Sequence, residues 1–242
     1  MAKRPQFATG EIYHIFNRGV EKRHIFSNQS DYFRFIHDMF EFNDENPAIN
    51  LGYYFDSYGK RPFAGNLAKS DFAKLQMPRK MLVEIFCFCL MPNHYHFIIR
   101  QLADNGITEF MRKIGTGYTN YFNTKYQRVG PLFQGKFKAV HIFNQAHLLY
   151  LPHYIHLNPL DTSFPEWREK KISNVRKALQ FLESYRWSSY QDYIGIKNFP
   201  SITQRNFLTK IYGLRKTSDY KKDMTDWLQG LNTETIRDIV IE

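Results

Sequence analysis

The 242 residues suffice for one domain with extensions or two small ones, and 33 Lys+Arg against 23 Asp+Glu set a formal charge of +10. That surplus is spread along the chain and gives a pI near 9.5, which points to an anionic partner met by a broad basic surface. No stretch of about 18 apolar residues occurs, which excludes a membrane-spanning helix. The N-terminal Met-Ala-Lys-Arg-Pro-Gln has no apolar signal-peptide core, so a cytoplasmic protein is expected.

Aromatic residues, 22 Phe and 16 Tyr among them, can fill a core and still leave rings to stack on unpaired bases. Residues 11–18 alternate well enough for a first strand, which Gly19 ends. A helix is predicted from Ser30 as N-cap to about Asn43, with Asp31 in its first turn. Tyr32, Phe33, Phe35, Ile36, Met39 and Phe40 recur there at helical spacing. Residues 44–80, punctuated by proline and glycine, read as an irregular insertion with a short strand at 51–55.

The apolar run 83–90, a short turn and residues 94–100 predict a strand pair. The two cysteines, Cys87 and Cys89, share one face of its first strand, where neighbouring thiols do not easily reach each other for a disulfide. They read as small buried residues of a reduced protein. A zinc site joining them to His94 and His96 would require the turn to fold all four together. Residues 107–127 predict a long helix interrupted by Gly115 and Gly117, and the alternating 136–142 a fourth strand. A helix over 145–158 is closed by Asn158-Pro159.

The expected fold class is therefore α+β: a ferredoxin-like βαββαβ antiparallel sheet with helices on one face and one more helix, within residues 1–192. Segments 203–212, 217–230 and 233–241 form an expected helical C-terminal extension, residues 193–242. No internal repeat or low-complexity tract appears.

Within Met91-Pro-Asn-His-Tyr-His-Phe-Ile-Ile-Arg100, side chains alternate faces, so His94 and His96 share one and Tyr95 and Phe97 the other. Two imidazoles so placed can grip one metal ion. A His-x-His pair alone is more commonly polar surface, but this pair sits in a very apolar segment where an unpartnered ring is costly to bury. Later, in His153-Tyr-Ile-His-Leu-Asn-Pro159, Tyr154 and Asn158 are one helical turn apart. If that face packs over the strand face of His94 and His96, a cation held by two imidazoles and the Asn158 oxygen lies beside the Tyr154 hydroxyl, with positions open for a phosphate.

A free phenol is only about 0.1% ionised at pH 7 and needs such help to attack phosphorus. The mixed nitrogen and oxygen donors suit Mg²⁺ or Mn²⁺, and imidazole also accepts Zn²⁺. Helical tyrosines usually pack, and periodicity does not choose among Tyr118, Tyr121, Tyr126, Tyr150 and Tyr154.

The chain's motifs do carry a family resemblance. Pro-Asn-His-Tyr-His-Phe at 92–97 and Tyr-Ile-His-Leu-Asn-Pro at 154–159 resemble the REP-associated tyrosine transposases, relatives of the single-tyrosine transposases of small bacterial insertion sequences. Further matches are residues 13–19, Asp31-Tyr32, Leu132-Phe-Gln-Gly-Lys-Phe-Lys138 and Tyr185-Arg-Trp-Ser-Ser-Tyr190, so the resemblance spans about residues 8–192. It implies a histidine–hydrophobe–histidine nuclease that nicks and joins hairpin-bearing single-stranded DNA through a 5′-phosphotyrosine. It further implies Tyr154 as nucleophile, His94, His96 and Asn158 as ligands of the cation, and a monomer or homodimer.

Two departures stand out. Pro152 replaces a small or polar residue and should kink the helix, or mark a later start near itself. Leu160-Asp161-Thr162-Ser163 replaces the usual Val-Arg-Ala-Gly, which weakens a basic contact near the site.

Arg112, Lys113, Lys125, Arg128, Lys136 and Lys138 flank the predicted site elements and are candidates for phosphate contact, although solvated surface is the default for any one of them. Two other functions stay open. A non-catalytic hairpin-binding or regulatory protein would bind without cleavage, and a metallohydrolase using activated water would nick without a covalent adduct.

Overall fold

The computed structural model describes residues 5–46, 78–169, 171–213 and 216–230; the expected strand at 51–55 and segment at 233–241 lie outside them. Four strands, β1 (Ile12–Arg18), β2 (Val83–Met91), β3 (His94–Gln101) and β4 (Lys138–His141), pair antiparallel in the order β2-β3-β1-β4. Helix α1 (Gln29–Glu41) links β1 to β2 across the 44–80 segment, and α2 (Gly106–Lys125) links β3 to β4. This is the expected ferredoxin-like unit.

Alternation along the strands sorts the core into two halves. Tyr95, Phe97 and Ile99 of β3 join Tyr13 and Ile15 of β1 against Phe35 and Met39 of α1 and Phe110 and Ile114 of α2. The opposite face is covered as well, by α3 (Gln145–Leu157) and by α4 (Val175–Ser184), α5 (Tyr190–Tyr193), α6 (Arg205–Ile211) and α7 (Thr217–Leu228). A register shift between Ile85 and Cys87 turns Phe86 and Cys87 together into this second half. Burial on both faces explains why residues 83–91 read as one apolar run. Leu208, Tyr220, Met224 and Leu228 of the C-terminal segment share that half with Ile155. The segment thus forms part of the second core, with Cys87 and Cys89 buried in it as free thiols.

Three local expectations need correction. The N-cap of α1 is Asn28, not Ser30: Asn28 Oδ1 accepts from the Ser30 and Asp31 amides, and Asp31 Oδ2 accepts from the Asn28 amide. Helix α2 runs unbroken through Gly115 and Gly117, and the Phe42 ring lies 2.6 Å from where a Cβ at Gly117 would stand, so a close aromatic approach requires that glycine. Helix α3 begins at Gln145, and Pro152 lies inside it without ending it.

Asp31 is fully buried and accepts from the amides of Ser27 and Asn28, from the hydroxyls of Tyr121 and Tyr126, and from Lys125 Nζ at 2.6 Å. Burial opposes its ionisation, but these donors outweigh it and hold the carboxyl below its ordinary range. Asp31→Ala removes an acceptor from all five donors, of which Lys125 alone keeps Asn28, Ser30 and Tyr121 to donate to, and is expected to lower the unfolding free energy by about 3–5 kcal/mol. Urea denaturation checks this; a loss under about 1 kcal/mol would reduce the cluster to a surface ion pair.

Candidate active site

The first residue of β3 is His94, and its third, His96, is fully buried on the face turned to α3. The two rings lie 5.1 Å apart at 89°. Asn93 Nδ2 donates to the Lys22 carbonyl at 3.2 Å, which fixes Asn93 Oδ1 as the acceptor 2.6 Å from His94 Nδ1. His94 therefore carries its proton on Nδ1, and its Nε2 is the ring atom left for a ligand.

The neighbour of His96 is one that periodicity alone did not single out. His14 of β1, almost wholly buried, places Nε2 2.9 Å from His96 Nδ1. Burial, reinforced by the nearby His14, His94, Arg168 and Arg18, holds His96 well below its ordinary value; burial and then His147 bring His14 from 6.5 down to about 3. Both rings are neutral at pH 7. One of each facing pair of nitrogens must donate, and when His96 donates from Nδ1 its Nε2 lone pair is available. His14 was legible in outline, as an alternate residue on the β1 face that pairs beside β3, but no spacing rule links it to His96.

Helix α3 completes the cluster. The Tyr154 ring centroid lies 6.0 Å from that of His96, edge to face. Asn158, the C-cap, donates from Nδ2 to the Tyr154 carbonyl at 2.8 Å, so one turn of α3 aims the amide. Its Oδ1, like His96 Nε2, is buried with no hydrogen-bond partner among the described residues. Such orphaned acceptors are rare in a folded core and call for an unseen partner. Two imidazole nitrogens and an amide oxygen are a donor set that a divalent cation fits.

The remaining face of α3 is tied down rather than functional. His153 contacts the Leu149 carbonyl and Asp223 Oδ2, and His156 contacts the Tyr220 hydroxyl at 2.7 Å and Ser189 Oγ at 2.8 Å. Tyr150, one turn before Tyr154 on the Tyr154 face, stacks on it at 6.2 Å and meets Trp227 at a tilt, 5.6 Å away.

Sequence reasoning also missed Arg168. It donates to Asp161 through Nε and Nη2, and its Nη1 lies 3.4 Å from the Tyr154 hydroxyl. The basic contact that Asp161 was expected to weaken is thus supplied from seven residues further on, through irregular turns that carry no periodic signal.

The six candidate phosphate contacts divide. Helix α2 packs on the far face of the sheet, so Arg112, Lys113 and Lys125 do not line the site. Arg112 pairs with Glu109, Lys113 reaches the Asp44 carbonyl and Lys125 serves Asp31. Arg128 donates to Asn123. Lys136 is exposed, and Lys138 Nζ sits 5.7 Å from the Phe16 ring, which itself stacks on His14 and His96. Of the six, Lys138 is the one whose contacts lead to the histidine cluster.

No curated protein matches the chain. Among solved structures, one of a REP-associated tyrosine transposase bound to a REP hairpin is similar at a TM-score of 0.48 and 13% identity, covering 82% of this chain and 89% of that one. Residues 73–158 match the family model described as Transposase IS200 like. The segment that carries His94, His96, Tyr154 and Asn158 is thus similar to the IS200-like transposases.

Proposed function

We propose that the protein is a metal-dependent single-stranded DNA endonuclease and strand transferase that acts on hairpin-flanked DNA through Tyr154. The single observation carrying this reading is the meeting of the Tyr154 ring with His96, whose Nε2, like Oδ1 of Asn158 one turn along α3, is a buried acceptor with no hydrogen-bond partner among the described residues. His94, His96 and Asn158 would hold Mg²⁺ or Mn²⁺. Such an ion, when bound, supplies electrostatic stabilisation of the charge that gathers on a phosphoryl group.

Tyr154 Oη attacks phosphorus; the new Oη–P bond forms as the bond from phosphorus to the 3′ oxygen breaks. The phenolic proton leaves to solvent, and the departing 3′ oxygen takes one up. The product is a 5′-phosphotyrosine, whose ester conserves the energy of the broken bond for joining to another 3′ hydroxyl. Asn158 positions α3 at this point by bonding the Tyr154 carbonyl, and a neutral His14 ring that accepts at Nε2 is compatible with the His96 tautomer that leaves Nε2 open. Lys138 and Arg18 offer positive charge for the DNA backbone. Tyr154 and His96 belong to the same chain, so one molecule can assemble the site and work as a monomer.

The test is incubation with a single-stranded oligonucleotide carrying a palindromic hairpin, with Mn²⁺. A covalent protein–DNA adduct resistant to denaturation is expected, and none should form in EDTA. Hairpin binding without cleavage under any divalent ion would favour a regulatory DNA-binding role. Nicking without an adduct would favour activated water as the nucleophile.

A further inference from the structure

The geometry points to Arg168 as a catalytic residue that neutralises the Tyr154 oxygen while it carries negative charge, both when the phosphotyrosine forms and when it is resolved. This deepens the proposed function and rests on it.

The guanidinium is held in place by the residues around it. Asp161 accepts from Arg168 Nε at 2.9 Å and from Nη2 at 2.6 Å, a two-pronged pairing that fixes the plane of the fork. The same carboxylate accepts from Trp167 Nε1 at 2.7 Å, and Trp167 is 3% exposed, so Asp161 is anchored to the core. The Arg168 carbon lies 5.0 Å from the Trp167 ring centre and 5.5 Å from that of Tyr154. With two of its donors committed to Asp161, the fork turns Nη1 toward the Tyr154 hydroxyl, 3.4 Å away. That distance suits a weak contact to a neutral phenol and can shorten as the oxygen gains charge.

The chemistry gives this cation work in both directions. In the forward step the Tyr154 oxygen loses its proton to solvent and forms the bond to phosphorus. In the reverse sense a 3′ hydroxyl gives up its proton to solvent and forms a bond to phosphorus, while the bond from phosphorus to Oη breaks and the electron pair returns to Oη as phenolate. A fixed guanidinium stabilises the phenolate in each case, as a donor preorganised where charge develops. An arginine that only bound DNA would instead act equally on ground state and transition state. The titratable and charged groups that face Arg168 are Asp161, Tyr154, Tyr150 and His96.

The experiment compares wild type, Arg168→Lys and Arg168→Ala as full-length proteins with Mn²⁺ and a hairpin oligonucleotide. It measures adduct formation, adduct resolution by an added 3′-hydroxyl strand, hairpin affinity and the urea midpoint of each protein. Arg168→Ala is expected to slow both chemical steps by about 100-fold, with Arg168→Lys between the two because it keeps the charge but loses the fork. Hairpin affinity and the urea midpoint should stay near wild type while both chemical rates fall and Arg168→Lys partly restores them, a split that a purely structural role would not produce. Slowing matched by an equal loss of hairpin affinity would overturn the assignment in favour of a DNA-contact role. Unchanged rates would overturn it outright. Asp161→Asn provides a second variant that leaves Arg168 in place but unpinned, and a rate equal to wild type there would remove Asp161 from the device. Wild-type protein that forms no adduct defeats the proposed function itself, and this assignment with it; wild-type adduct with unaffected variants defeats only the role of Arg168.

Discussion

Tyr154→Phe is expected to abolish adduct formation, with a fall in rate on the order of 10⁴-fold or more, the scale seen when a covalent nucleophile is deleted. The substitution keeps the ring that packs between His96 and Trp167, so the helix and the candidate cation site should survive. Hairpin affinity and the unfolding midpoint in urea should therefore change little. The informative comparison is Tyr150→Phe. Tyr150 sits one turn earlier on the same helix face, and burial followed by the nearby Tyr154 pushes its hydroxyl above the ordinary phenol range. Arg168 acts on its charge too, but the arginine hydrogen bond goes to the Tyr154 hydroxyl, so Tyr150 should be dispensable. Adduct retained in Tyr154→Phe but lost in Tyr150→Phe would move the chemistry up one turn of α3. Adduct undiminished in both would remove this helix face from the mechanism. The measurement is gel separation of labelled oligonucleotide under denaturing conditions, followed by mapping of the modified peptide.

Much of this site was legible because two short-range rules suffice for it. The period of two places His94 and His96 on one face of β3, and the helical turn places Tyr154 over Asn158. What those rules lack is the packing of one element on another. Residues 145–158 read equally well as a helix on either face of the sheet, and Tyr118, Tyr121 and Tyr126 fit the same pattern. In the structure Tyr118 is buried against Phe35 on the far face, which removes it from the histidines. The expected basic flank divides for the same reason: α2 follows β3 directly in sequence, yet it packs on the far face of the sheet and carries Arg112, Lys113 and Lys125 away from the histidines.

Capping was misread at α1 because Asn28 and Ser30 are both good caps, and the reciprocal bond from Asp31 decides between them. Arg168 and Asp161 were beyond reach for a different reason. Their pairing depends on irregular 3₁₀ turns at Asn158–Thr162 and Pro165–Glu169, where no repeat relates sequence spacing to position in space.

The second large effect is on stability. The metal-free protein is expected to lose most of its stability between pH 6.5 and about pH 4. His14, His96 and His156 are all almost fully buried, and burial is the first cause that holds each below its ordinary value, with His14 and His156 brought to about 3. In the unfolded chain the same rings titrate near 6.5. Below 6.5 the unfolded state binds more protons, so each ring contributes stability that is complete above 6.5 and lost as pH falls toward its own depressed folded value. The slope from one such ring approaches about 1.4 kcal/mol per pH unit, and three acting together approach about 4. Against a typical net stability of about 5–15 kcal/mol, that slope is enough to unfold the chain well before the rings themselves reach their folded values.

The carboxylate of Asp31 works in the same direction at lower pH, since its folded value is also depressed. Urea midpoints in EDTA at half-unit steps from pH 7.5 to 4.5 measure the slope. His156→Gln, which keeps polar atoms facing Tyr220 and Ser189 but cannot charge, should cost stability at pH 7 and flatten the slope by about one proton. A stability that stays level from pH 7 to pH 5 would mean that these rings open to water before they protonate, and that the buried histidine cluster is looser in solution than its packing implies.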